Sequence, residues 1–228
     1  MRKMMTGAAL MFAGSTFAEV LPEQTATARD FVPGDYHVVG AVQGDLNQNQ
    51  RDDWVFLVSR NDEGESGGKD QGRTGTGESD GLLVVFNEED GYRHVLSNLD
   101  CLASDSEEGG VYFAPEPDVS IDRGNLYIHF RHGRYGHWTY NFRYQGDDFE
   151  LIGYDSTQQR GPVVERSVSI NLLTKRMLIR ENINHDAEGG DEEFEETWKE
   201  FALPQPIRLG EIGSFEALDV KAHMKLLD

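Results

Sequence analysis

The amino-acid sequence predicts a mainly β protein, an antiparallel meander folded as a sandwich, a barrel or a partial propeller-like domain. Three observations predict it. Short apolar and aromatic runs recur between turn signals, at residues 36–42, 54–58 and 82–86. Leu126, Ile128 and Phe130 alternate along one run, and Trp138, Tyr140, Phe142 and Tyr144 along the next, which is the period of strands with one buried face. No stretch carries a long helical period.

Taken in order, residues 19–34 are polar and contain Pro22 and Pro33, so they read as a loose lead-in to a single β-rich domain over 35–228. Residues 54–58 (Trp-Val-Phe-Leu-Val) are apolar without interruption, as a strand covered on both faces requires, and 82–86 are similar. Asn87-Glu88-Glu89-Asp90-Gly91 reads as a hairpin turn into 92–96. The aromatic hairpin joins through 131–137, with Gly133 and Gly136 inside the connection. Gln145-Gly146-Asp147-Asp148 turns the chain into 149–154. A further pair, 163–170 and 176–179, flanks 172–175, and 197–203 is the last expected strand. The tail over 212–227 has room for one or two short helical turns.

Two acidic segments are expected outside the core. Residues 61–81 hold seven glycines and six acids with almost no apolar side chain, and that composition predicts a mobile loop. Residues 184–196 hold seven acids and predict an exposed hairpin tip that carries charge on a flexible arm.

The N-terminus predicts export. Arg2 and Lys3 precede an uncharged stretch from Met4 to Ala18 that is too short to span a bilayer as a helix. Ser-Thr-Phe-Ala at 15–18 places small residues for cleavage after Ala18, so residues 1–18 read as a signal peptide and the destination as the periplasm or beyond. No later segment has the apolar length of a membrane-spanning helix. Cys101 is the single cysteine, which excludes an intramolecular disulfide; with Leu99 and Leu102 beside it, the thiol reads as buried and not nucleophilic. The formal charge of −20 becomes −22 once Arg2 and Lys3 are removed. Charge of that sign repels nucleic acid and anionic lipid, and it favours a basic protein or a divalent cation as partner.

The stretch that carries chemistry is Gly44-Asp45-Leu46-Asn47-Gln48-Asn49-Gln50-Arg51-Asp52-Asp53. Asp45, Asn47, Asn49 and Asp53 occupy relative positions one, three, five and nine, and a carbonyl near position seven belongs to Arg51. Alternate hard oxygens on a tight loop suit calcium, and an apolar strand follows at once. The alternative is a β-turn braced by Asx hydrogen bonds that binds nothing. With two carboxylates among the four side chains, calcium affinity is expected near the weak extracellular range.

This stretch resembles the Gly-Asp-Leu-Asn-x-Asp-Gly-x-x-Asp calcium loop of FG-GAP and VCBS-like repeats, found in integrin-type β-propellers and in many secreted bacterial proteins. The resemblance implies ligand places for Asp45, Asn47, Asn49 and Asp53. Two positions depart from the pattern: Asn49 stands for Asp, which removes a charge, and Gln50 stands for Gly at the sharp bend. No second copy of the loop is present. The stretch from Leu82 through Tyr154 is similar to a group of secreted bacterial proteins of unknown function, in which one such loop precedes an aromatic hairpin and an ending here written Phe142-Arg143-Tyr144-Gln145 and Leu151-Ile152-Gly153-Tyr154. It implies fold and compartment and no activity.

Other constellations are weaker. His129, His132 and His137 cluster in sequence, but on a hairpin they read as surface residues and not as zinc ligands. The aromatic row reads as core in preference to a sugar-stacking platform. Gly67-Gly68-Lys69 lacks the first glycine and the Ser or Thr of a phosphate loop. No catalytic motif stands out, so the expectation is a non-enzymatic binding or structural protein of the cell envelope. The alternatives are an inhibitor or immunity protein against a basic toxin or lysozyme-like enzyme, and a hydrolase with an unrecognised carboxylate pair.

Overall fold

Two antiparallel meanders make up the structure, a computed structural model that describes residues 24–25, 27–61, 80–103 and 115–227. The first sheet contains β1 (Gln24–Thr25), β2 (Tyr36–Gly44), β3 (Asp53–Arg60), β4 (Gly81–Glu88) and β5 (Gly91–Asn98), in the spatial order β1-β5-β4-β3-β2. The second contains β6 (Glu116–Asp122), β7 (Asn125–Arg131), β8 (Gly136–Gln145), β9 (Asp148–Arg160), β10 (Val163–Asn171), β11 (Arg176–Asn182), β12 (Phe194–Ala202) and β13 (Lys225–Leu227), each beside its sequence neighbour. Neither sheet closes into a barrel, so of the three expected arrangements the chain takes a sandwich-like one. No described helix is long and apolar enough to cross a membrane. Residues 1–18, read as the signal peptide, and 62–79, most of the expected mobile loop, lie outside the described residues.

The sheets share a core because alternation sends one row of each toward the other. Val55, Leu82, Val84 and Phe86 of the first sheet meet Leu126, Ile128, Tyr140, Phe142, Val168 and Ile170 of the second. Phe86 sits edge-on to Tyr144, with ring centroids 4.8 Å apart. The row from Trp138 to Tyr144 is therefore core, as its period predicts. The pairing of β8 with β9 slips between Asn141 and Phe142, whose partners are Gly153 and Leu151. The extra residue, Ile152, is a β-bulge, and past it Tyr154 and Ser156 take the inward face beside Tyr140 and Trp138.

The uninterrupted runs are explained by a second core on the far face of the first sheet. Phe56, Val58, Leu83 and Val85 point away from the second sheet and pack with Ala28, Phe31 and Tyr36. This corrects the loose lead-in: Gln24–Thr25 pairs with Tyr92 and Arg93, and Ala28–Phe31 forms a 3-10 turn whose Phe31 is fully buried. One aromatic anchor offsets the chain entropy of an otherwise polar segment.

Other boundaries move. Asp80 and Gly81 belong to the ordered chain: the Asp80 carboxylate accepts from the Arg60 amide at 2.6 Å, and Gly81 opens β4. A Cβ at Gly81 would lie 2.2 Å from the Leu99 carbonyl carbon, so only glycine fits there. β12 starts at Phe194, three residues before the expected strand. β1, β6 and β13 are strands that the sequence pattern does not predict. The tail carries a 3-10 turn at Val220–His223 and then β13, which pairs with Glu200–Ala202 of β12.

The tip between β11 and β12 is exposed, as expected, but it is a folded turn and not a flexible arm. Ile183 donates to the Glu193 carbonyl at 2.7 Å, Asp191 accepts from the Glu188 and Gly189 amides, and Ala187 is buried. Glu192 accepts from Val164 and Gly190, and those backbone bonds hold its carboxyl below the usual range.

Candidate functional site

The loop between β2 and β3 gathers the predicted residues. The Asp45 carboxylate accepts from the Asn49 amide at 3.0 Å through one oxygen and from the Gln50 amide at 2.7 Å through the other. Asn47 Oδ1 accepts from the Asn49 amide at 3.1 Å, and Asn49 Oδ1 from the Arg51 amide at 2.8 Å. The result is a ladder of Asx turns with its side-chain oxygens folded inward. Gln48 and Gln50 hold φ of 62° and 68°, so the sharp bend survives with a side chain where glycine is favoured.

Asp53 does different work. It is a fully buried charged residue at the start of β3. Its Oδ2 accepts from the Leu46 amide at 2.8 Å and the Asn47 amide at 3.3 Å, and its Oδ1 from the Asn87 amide at 2.8 Å. It therefore ties the loop to the β4–β5 turn, while Leu46 enters the shared core. Burial pushes the Asp53 carboxyl above its ordinary value, against the downward pull of the amides of Asn87, Leu46 and Asn47. Asn49 and Arg51 add side-chain bonds to the Asn87 and Glu88 carbonyls at 2.9 and 3.1 Å.

All five predicted residues thus lie in one loop. Asp45, Asn47 and Asn49 share its concave turn, Asp53 closes its base, and the Arg51 side chain reaches the neighbouring turn. Chemically the side chains of Asp45, Asn47, Asn49 and Asp53 offer two carboxylates and two carboxamides. Among the described residues no cluster of three or more His, Cys, Asp or Glu converges as a metal centre. Each oxygen of Asp45 keeps a lone pair beyond its amide bond, which is what a weak hard-cation site needs.

The histidines do not form a centre. His129 Nε2 lies 3.0 Å from Ser120 Oγ and its Nδ1 3.0 Å from Thr139 Oγ1, so the ring bridges β6 and β8. Burial lowers its pKa. His132 leans on Tyr135 in the hairpin connection. Cys101 is buried with its thiol pushed up to about 12 by burial, and it donates to the Asn98 carbonyl at 3.4 Å.

A second feature was not legible in the sequence. At the end of the core, beside the β7–β8 connection, a cavity of about 310 Å³ is bounded by Trp138, Tyr154, Ser156, Gln158, Arg166 and Lys221. Gly136 lets the hairpin close over it: φ is 132°, and a Cβ would collide with the Thr157 carbonyl oxygen at 1.9 Å. Trp138 stacks on Phe130 with centroids 5.5 Å apart and borders the cavity. Arg166 Nε lies 3.2 Å from Glu181 Oε1, and Lys221 enters from the tail turn, where Asp219 accepts its backbone amide at 2.9 Å. Burial lowers the Lys221 pKa, and the nearby Arg166 charge lowers it further. No local motif signals this convergence.

Comparison of the chain with family models, with curated proteins and with solved structures found no match.

Proposed function

We propose that this chain is an exported, non-enzymatic binding protein of the cell envelope, with a weak calcium site in the 45–53 loop. The observation that carries the binding reading is the corner cavity, where rings, hydroxyls and two cations converge on one concavity. The loop supports the calcium reading through its inward oxygens and its preserved bend. The hydrolase alternative has less support, since no carboxylate pair faces the cavity. The inhibitor or immunity alternative draws on one observation, the exposed Glu193 and Glu195 on an ordered tip, a surface suited to a basic protein.

Two measurements test the reading. Calcium at about 1 mM raises the melting temperature of the native protein by mass action, and Asp45→Ala removes the rise. An absent rise makes the loop a metal-free brace. For binding, small envelope-derived molecules are screened for thermal shifts. Turnover of a wall or glycan substrate, with no molecule bound unchanged, replaces the binding reading with the hydrolase.

A further inference from the structure

We infer that the corner cavity binds a small ring-bearing carboxylate, of which an acidic monosaccharide such as a hexuronate is the simplest member. The inference rests on the binding reading and is independent of the calcium loop.

Size comes first. About 310 Å³ lies at the low end of ligand pockets, enough for one sugar-sized ring and not for a chain. Chemistry comes second. Lys221 and Arg166 arrive from different elements, the tail turn and β10, and place two cations at one cavity in a chain of formal charge −20. Like charges held beside one cavity repel, and an anion between them relieves that repulsion. Their acidic neighbours hold them without consuming them. Glu181 faces the Arg166 Nε edge, which leaves the guanidinium's terminal nitrogens as donors. Asp219 accepts the Lys221 backbone amide and is a charge neighbour of its ammonium.

The rest of the wall decides what body the anion carries. Trp138 and Tyr154 supply ring surface, with Phe130 covering one face of the Trp138 ring. Ser156 and Gln158 follow Tyr154 on the same face of β9, with Ser156 paired to Trp138 and Gln158 to Gly136. Ring surface beside a row of hydroxyl and amide groups suits a molecule with one apolar face and an edge of hydroxyls. A carboxylate at one end meets the cations. A bare inorganic anion leaves the rings unused, and a neutral sugar leaves the cations unused.

The test is isothermal titration of the purified protein with glucuronate and with glucose, the neutral analogue. Glucuronate is expected to bind about tenfold or more tighter than glucose, the equivalent of one charge-assisted hydrogen bond. Lys221→Gln is expected to remove that discrimination while leaving the melting temperature unchanged. Arg166→Gln is expected to act in the same direction, and Lys221→Gln decides the matter if loss of the Glu181 pairing prevents that variant from folding. Glucuronate and glucose binding equally, or undiminished glucuronate binding by a natively melting Lys221→Gln protein, overturns the assignment. If neither sugar binds while a different molecule shifts the native protein, the acidic-sugar inference fails and the binding reading stands. If nothing binds at all, both fail.

Discussion

Removing the Asp53 carboxylate should be among the most damaging single changes in the first sheet. The carboxylate accepts three backbone amides, from Leu46, Asn47 and Asn87, in a site without solvent access. The bonds to Leu46 and Asn87 are short, at 2.8 Å each. A hydrogen bond to a charged group contributes about 1.5–3 kcal/mol, and a buried donor left unpaired costs a comparable amount. The Asn47 bond is longer, at 3.3 Å, so the two short bonds set the scale, and Asp53→Ala should lose about 3–5 kcal/mol. Asp53→Asn keeps the shape but turns an amide NH2 toward a backbone donor, and about 2–3 kcal/mol is expected. The sign of the pH dependence separates burial from bonding. Because burial raises the folded-state pKa of Asp53 above its unfolded value, the folded state binds the proton more tightly. Stability of the native protein relative to Asp53→Asn should therefore grow as pH falls through the folded pKa toward the ordinary carboxylate value, and stay level above it. Urea unfolding of the three proteins between pH 3.5 and 8, as an approximate range, reads both quantities. A loss below about 1 kcal/mol for Asp53→Ala would refute the bracing role, because the amides would then have found other partners. A native advantage that shrinks on acidification would show that the three amide bonds outweigh burial.

Four further outcomes follow from named side chains. Gln50→Gly relieves a left-handed side chain at φ 68° and should stabilise the protein by about 1 kcal/mol in thermal unfolding; no gain would mean that the bend carries no strain. The Cys101 thiol, held near 12 by burial, should ignore a thiol reagent at mildly alkaline pH until denaturant is added, and prompt labelling of the native protein would place it at the surface. If the acidic tip meets a basic protein, Glu193→Gln with Glu195→Gln should slow association without moving the melting temperature. Asp191→Asn or Glu192→Gln should loosen the tip itself, since these side chains hold its amides. Equal association rates for the native and doubly neutralised proteins would remove the electrostatic account.

The sequence by itself determined most of the strands, though not β1, β6 or β13, because a pleated chain writes its burial directly into residue order. Alternation from Leu126 to Phe130 and from Trp138 to Tyr144 marked faces, and the unbroken runs in β3 and β4 marked strands covered on both sides. It also determined the loop, since Asp45, Asn47 and Asn49 act on amides two to five residues away, within reach of local spacing. Tertiary structure decided what lies beyond that reach. Nothing in a polar lead-in says that Phe31 closes a second core, because its partners, Phe56 and Leu83 among them, are supplied by strands far along the chain. Asp53 was legible as an oxygen donor, but its bond to Asn87 exists only once β3 and β4 pair. Arg166 and Lys221 meet because Arg166 continues the inward row of Val168 and Ile170 along β10 and the tail turn brings Lys221 to the same cavity. Such a meeting is set by register and chain return, which are energies of the whole packed molecule and leave no periodic trace in the residues that take part.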